Sequence, residues 1–199
     1  MNVLMTAFDP FGGEETNPAL EALRQVTAPE GIELKKLMVP TVFGDCAELA
    51  EEAIREYRPR AVICVGQAGG RSAVTPERIA INLMDATISD NHGFMPQELP
   101  IIRDGPAAYF STLPVKAMAQ AIREAGVPSQ VSNTAGTFVC NSLLYRVLHY
   151  CSLHCPETKA CFLHVPFLPE QAKNHPGCPG LPLSQMVLAL EAALGAIRE

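Results

Sequence analysis

Three residue types in this chain could do bond-breaking chemistry together: a cysteine, a histidine and a glutamate. They are Cys140 in SNTAGTFVCNSLLYRVLHY (132–150), His164 in FLHVPF and Glu77 in TPERIAIN. The position of the cysteine is unusual. Leu143, Leu144, Val147, Leu148 and Cys151 recur at helical spacing, whereas Asn133, Thr134, Gly136 and Thr137 are turn and cap residues. The junction falls at Val139-Cys140-Asn141, so Cys140 stands on the first turn of a helix, just after a small-residue loop. Unpaired N–H groups and partial positive charge at a helix N-terminus favour a thiolate, which predicts that Cys140 is more acidic than a free cysteine. The same N–H groups can receive an oxyanion. A histidine within reach would exchange the proton and later give it to a leaving amine. A carboxylate would fix the ring, completing a triad recognised by role and not by chain order.

These residues need a scaffold, and the composition supplies one. The chain has 199 residues, an apolar fraction of 48% and a charged fraction of 18%, which suits a single domain over 1–199 with a substantial core. Net charge is −6 without a block of like charges, which argues against a sequence-independent grip on nucleic-acid phosphates. The start, MNVLMTAFDPFGG, lacks the basic region of a signal peptide, and no apolar run approaches the ~20 residues needed to span a bilayer. A cytoplasmic location is therefore expected, with the seven cysteines mostly reduced and buried.

Short apolar runs alternate with helical patterns. Strands are predicted at 2–7, 32–39, 61–65, 78–84, 129–132 and 160–165. Helices are predicted from Pro18, capped by Asn17, and at 44–58, 113–125, from about 140, and at 182–198. Residues 85–111 form a long irregular segment with three prolines, and 170–180 read as a loop. The alternation predicts an α/β fold, a mostly parallel twisted sheet with helices on both faces. In such folds sites gather beyond the carboxyl ends of the strands. That rule brings FDPFGG, VGQAGGR, SNTAGTFVC and HVPF to one edge.

Competing readings exist for each motif. GQAGGR could cradle a phosphate, although it lacks the spacing of the dinucleotide and P-loop signatures. His149, Cys151, His154, Cys155, Cys161 and His164 supply zinc-ligand types, but no CxxC pair occurs among them. A non-catalytic module binding metal or phosphate is thus the alternative to an enzyme. Phe8 and Phe11 read equally as core aromatics or as the walls of a pocket. Glu77 by spacing alone would be a surface charge paired with Arg78. Asp85 and Asp90 read as caps and turn formers.

The motifs TAFDPFGGEETNPA, VGQAGGR, TPERIAINLMDA, SNTAGTFVCNSLLY and FLHVPFLPEQ together resemble the pyrrolidone-carboxyl peptidase (pyroglutamyl peptidase I) family, over nearly the whole chain. The resemblance implies a three-layer α/β/α sandwich and a cytosolic cysteine peptidase that removes an N-terminal pyroglutamate without metal or cofactor. It implies Glu77, Cys140 and His164 as the catalytic triad. It places Phe8 and Phe11 against the lactam ring, with Asn17 and Gln67 as polar groups of the same pocket. A homotetramer is implied as well. Two departures stand out: Ala7 occupies a position that is commonly glycine, and Thr87 one where many members carry arginine near the active site.

Overall fold

The computed structural model describes residues 1–197. In chain order its elements are β1 (Asn2–Phe8), α1 (Pro18–Gln25), β2 (Glu33–Val39), α2 (Asp45–Tyr57), β3 (Ala61–Gln67), β4 (Thr75–Glu77), β5 (Ile79–Ile81), β6 (Ala108–Phe110), α3 (Val115–Glu124), α4 (Val139–His154), β7 (Lys159–Val165), α5 (Pro169–Ala172) and α6 (Leu183–Gly195). The main sheet has the order β2-β1-β3-β7-β4. Its first four strands run parallel, and β4 closes the edge antiparallel to β7. β5 and β6 form a separate antiparallel pair.

The central strands read as continuous apolar runs because both faces of the sheet are covered. Alternate residues point to opposite faces. Val3, Met5, Ile63, Val65, Cys161 and Leu163 pack with Leu23 of α1, Met118 and Ile122 of α3, and Leu190 of α6. Leu4, Phe8, Val62, Cys64, Ala160 and Phe162 pack with Ile54 of α2 and with Leu143 and Val147 of α4. The result is the three-layer α/β arrangement expected from the sequence. Among the described residues, no helix is long and apolar enough to cross a membrane.

Four local expectations need correction. Arg78–Met84 is not one strand. Thr75–Glu77 joins the main sheet, and only Ile79–Ile81 pairs with β6. The Asn141 amide accepts from Ile81 N at 3.0 Å and donates to the Ile81 and Leu83 carbonyls at 2.9 and 3.1 Å, taking the place of a further ladder. Residues 129–132 make only isolated bridges, Val74 with Ser129 and Glu77 with Ser132. The 170–180 loop opens with the single turn of α5. The last helix ends at Gly195, and the final position predicted for it, 198, lies outside the described residues.

Within the long segment, Asp90 is the turn former that the sequence suggested. Its carboxylate accepts from Phe43 N, His92 N and Phe94 N at 2.9–3.0 Å.

Candidate active site

The register of the central strands assembles the site. β3 and β7 pair so that Gly66 lies opposite His164 and Gln67 opposite Val165. On β7, His164 shares the face of Phe162, the face covered by α4. The first turn of α4 brings Cys140 down onto Gly66. A methyl group on Gly66 would stand 2.9 Å from Cys140 Sγ and 2.7 Å from a Phe162 ring carbon. Glycine is therefore required there, so that the sulfur can rest against the sheet beside the strand that carries His164.

β4 supplies the carboxylate. Its antiparallel pairing sets Thr75 opposite His164 and Glu77 opposite Phe162. His164 Nδ1 lies 2.7 Å from Glu77 Oε1, and the two side chains are 4% and 0% exposed. The surface pairing with Arg78 that adjacency suggested does not form, because Arg78 Nε donates to Asn133 Oδ1 at 2.7 Å. The cation on Glu77 is Arg71, the last residue of GQAGGR. It donates from Nη1 to Glu77 Oε1 and Thr75 Oγ1, and from Nη2 to the Thr134 carbonyl at 3.0 Å.

Burial alone would raise the Glu77 carboxyl. The hydrogen bond and charge of His164, helped by Ser132 and the Arg71 guanidinium, outweigh it and hold the group below its ordinary value. The Ser132 hydroxyl donates to the Thr134 carbonyl at 3.0 Å, and Glu77 Oε2 is buried without a hydrogen-bond partner. We therefore assign the lowering chiefly to His164 and Arg71. His164 itself is pushed below its ordinary value by burial, against the raising effect of Glu77.

Cys140 does not follow the expectation of an acidic thiol. The residue keeps partial exposure, yet burial of the thiol is the largest influence on it. Together with the Glu77 charge, burial pushes it up to about 12; Arg71 and the residue's own N–H only offset this. The helix start contributes a fraction of a charge, whereas desolvation acts on the whole thiolate. Both shifts favour the uncharged forms, of the thiol and of the imidazole.

The helix start differs from the expected cap too. Position Ncap is Phe138, which makes no side-chain cap, and Thr137 Oγ1 donates to the Asp85 carbonyl at 2.6 Å. First-turn N–H groups of α4 are thereby left without a capping side chain.

The aromatic surroundings sort into layers. Phe8 is 2% exposed and packs on Phe162, with centroids 6.3 Å apart, so it is a core aromatic beneath the site and not an open wall. Phe11 is partly exposed and faces Phe138 at 6.1 Å, and Phe138 is held edge-on by Phe43 at 5.3 Å. Asn17 is 1% exposed. Its Oδ1 accepts from Ala19 N and its Nδ2 donates to the Asp9 carbonyl, both at 3.0 Å, so it caps α1 as the sequence predicts and pins the FDPFGG turn, with both ends of its amide engaged there and not in a pocket.

Gln67 belongs to a chain of amides. Gln171 Oε1 accepts from Leu168 N at 3.0 Å. That bond fixes Gln171 Nε2 to face Glu14 Oε2 at 3.0 Å, the Thr16 carbonyl at 3.1 Å and Gln67 Oε1 at 3.2 Å. His175 Nε2 holds the other Glu14 oxygen at 2.7 Å. Among the described residues, no acceptor is bonded to Gln67 Nε2, which remains a donor.

The residues of the competing readings go elsewhere. Gly69 admits the Phe167 ring, which a methyl group would meet at 2.2 Å, and Gly70 takes φ +86°. The glycines of GQAGGR are thus explained by packing and turn geometry. Cys151 packs in the core, Cys161 contacts Met118, His149 bonds Tyr109 and His154 packs on Tyr150. Cavities of about 340 and 620 Å³ lie at the opposite, amino ends of the strands, lined by residues such as Arg58 and Glu157 or Met1 and Lys159. The first is lined by His154 and Cys155 of the zinc reading, but among the described residues no three His, Cys, Asp or Glu side chains gather to hold a metal; the second contains no candidate residue.

Phe138, Arg71, Gln171, Glu14 and His175 all lie inside or beside the motifs and were not singled out from sequence. Phe138 carried a usable signal: a bulky aromatic stands where a helix N-cap prefers Ser, Thr, Asp or Asn.

A three-layer α/β sheet with a thiol, an imidazole and a buried carboxylate gathered at its carboxyl edge presents the groups that a hydrolase can use. The comparison with known proteins makes this specific. The family model described as pyroglutamyl peptidase matches residues 1–199. The pyrrolidone-carboxylate peptidase of Levilactobacillus brevis is 57% identical over 198 residues, covering 99% of this chain and 97% of that one. The Streptococcus pyogenes protein of the same name is 52% identical, covering 99% and 92%. The crystal structure of pyroglutamyl peptidase I from Bacillus amyloliquefaciens superposes with a TM-score of 0.95 at 43% identity, covering 98% of this chain and 96% of that one. A mutant pyrrolidone carboxyl peptidase from Pyrococcus furiosus gives 0.94 at 35%, covering 99% and 98%. The chain belongs to the pyroglutamyl peptidase family and is a peptidase.

Proposed function

We propose that this protein removes the N-terminal pyroglutamyl residue from peptides through an acyl-enzyme on Cys140, with His164 carrying the proton and Glu77 orienting His164. The observation that carries the reading is the sealed Glu77–His164 pair at 2.7 Å, on the strand neighbouring the Gly66 that supports Cys140 Sγ. The names of the relatives give the substrate class.

An ionised Glu77 can only accept, so His164 carries its proton on Nδ1 and keeps a lone pair on Nε2. Nε2 takes the thiol proton as Sγ attacks the pyroglutamyl carbonyl carbon. The C–S bond forms and the carbonyl π electrons move to oxygen. First-turn N–H groups of α4, free of a side-chain cap, receive that oxyanion. The C–N bond breaks as Nε2–H protonates the leaving amine, leaving a thioester. Water then gives a proton to Nε2 and attacks the thioester, which releases pyroglutamate and restores the thiol. The scheme uses no cofactor or metal.

Phe11 and Phe138 would form one aromatic wall against the lactam ring, over a floor that includes Phe8, and Gln67 Nε2 would donate to the ring carbonyl. Asn17 acts through the turn that it pins. Thr87 is exposed and adds no charge where many relatives carry arginine.

A cytoplasmic location and a homotetramer belong to the same reading. The free thiols agree with the first. Exposed Ile88, Phe94, Met95 and Leu99 in the long segment offer apolar surface for the second. Release of fluorophore from a pyroglutamyl 7-amido-4-methylcoumarin tests the activity; an enzyme that leaves this substrate intact sinks the reading.

A further inference from the structure

We infer that Arg71 is a positioning residue for the reaction: its guanidinium fixes the Glu77 carboxylate and the loop that delivers Cys140 as one unit. The inference rests on the reading that Cys140, His164 and Glu77 are the reacting set.

The geometry is that of a clamp. Nη1 bonds the Glu77 oxygen that also binds His164, and it bonds Thr75, whose register partner is His164. Nη2 bonds the Thr134 carbonyl in the loop that leads to Phe138 and Cys140. One planar group thus spans β4 and the approach to α4. A fork of fixed N–H donors suits that task, and a lysine ammonium cannot reproduce it.

Without Arg71, Oε1 would keep only His164, and the buried carboxylate would have one acceptor site fewer satisfied. Its Oε2 already lacks a partner. Glu77 would then be free to rotate, taking His164 Nδ1 with it. The local sequence agrees with this role: Arg71 N closes a turn onto the Ala68 carbonyl at 3.3 Å, directly after Gly70 in the left-handed region. The side chain is therefore launched from a rigid turn, and it is only 26% exposed.

Arg71 also sets charge at the site. The charged and titratable groups acting on His164 are Glu77 and Arg71. Those acting on Cys140 are Glu77, Arg71 and the buried thiols of Cys64 and Cys46. Arg71 is the cation in both sets. Removing it should raise the imidazole and the thiol together and carry the acid limb of the pH profile upward.

The test is Arg71→Met, which keeps an apolar stem, beside Arg71→Lys, both assayed in the full chain on the pyroglutamyl coumarylamide. For Arg71→Met, kcat should fall about ten- to a hundredfold with KM changed less than about threefold, and the acid limb of kcat/KM should move to higher pH. Arg71→Lys should return the acid limb toward that of the parent while recovering only part of kcat. Two outcomes overturn the proposal: kcat of Arg71→Met within about twofold of the parent, or a loss of kcat with the acid limb unmoved, which would make Arg71 a mere brace for the loop. A folded Arg71→Lys that restores kcat completely would refute the fork geometry. Cys140→Ser, run in parallel, separates the two levels. If it stays active, the triad reading fails; if it is dead while Arg71→Met is normal, only the clamp fails.

Discussion

His164 Nδ1 and Glu77 Oε1 are 2.7 Å apart, with neither side chain more than 4% exposed. A carboxylate in this place selects one tautomer of the ring. Glu77→Gln would offer an amide that can turn its NH2 toward Nδ1, favouring a proton on Nε2, where the lone pair is needed. Turnover should fall on the order of a thousandfold or more while residual activity remains, as expected when the tautomer is wrong but the donors and pocket survive. Single-turnover kinetics with the coumarylamide measure it; an unchanged rate would remove Glu77 from the triad.

Cys140→Ser should abolish turnover with the fold retained. A serine hydroxyl is a weaker nucleophile and a weaker acid than a thiol, and the site shows no means of ionising it: burial and Glu77 oppose charge there. The expected loss is at least about a thousandfold. Circular dichroism and thermal melts establish the fold. Activity within tenfold of the parent would point to another nucleophile.

The pH profile follows from the directions of the two shifts. The active form holds one proton on the thiol and none on His164 Nε2. Acid adds a proton to the imidazole and removes the base. Burial sets the folded imidazole below 6.5, so kcat/KM should decline only as pH drops below that value. With the thiol pushed up to about 12, no alkaline limb should appear near the ordinary thiol value of about 8.5. A bell with its upper limb near 8.5 would restore the acidic thiol that the helix start alone suggests.

The aromatic layers can be separated by substitution. Phe8→Ala removes a core ring against Phe162 and should cost about 3–5 kcal/mol of stability, read as a lower Tm or denaturant midpoint. Phe138→Ala and Phe11→Ala remove partly exposed rings and should raise KM for pyroglutamyl substrates with a much smaller loss of stability. Equal effects of Phe8→Ala and Phe138→Ala on both quantities would dissolve the distinction between floor and wall.

The parts of this architecture set by local chemistry could be read from the chain. Alternating buried runs gave the strands, Asn17-Pro18 gave the start of α1, and the carboxyl-edge rule gathered the right motifs. Long-range partnership could not be read in the same way. Glu77 binds His164 and Arg71, 87 and 6 positions away, and not its neighbour Arg78. Nothing local announces that β4 is an antiparallel edge strand that turns its glutamate inward. The acidity of Cys140 is not legible in the sequence for a similar reason. Helix position is visible in sequence, whereas the desolvation that outweighs it depends on the sulfur's close approach to the sheet at Gly66. For Phe8, alternation on β1 decides the matter: it shares the inward face of Leu4.

Selectivity for pyroglutamate is the remaining consequence of the pocket. The lactam nitrogen is an amide and carries no charge, unlike an ordinary N-terminus. Acidic groups near the site are already committed. Asp9 Oδ1 accepts from Thr41 N at 2.6 Å and from Asn91, and Glu14 is held by His175 and Gln171. An ammonium docked against Phe11 and Phe138 would face two apolar rings, and burying it without an anionic partner would cost several kcal/mol. About 4 kcal/mol corresponds to a thousandfold in rate. Gln67, oriented through Gln171 to present its NH2, can satisfy the ring carbonyl that proline lacks, and a site built around such a bond rejects analogues without it. Pyroglutamyl amides should therefore be cleaved at least about a thousandfold better than prolyl, alanyl or glutaminyl amides, measured as kcat/KM. Gln67→Leu should narrow the gap between pyroglutamyl and prolyl amides by removing the donor, and the ratio of their kcat/KM values reads it directly. Comparable hydrolysis of prolyl and pyroglutamyl amides by the parent enzyme would leave a general aminopeptidase on the same three residues.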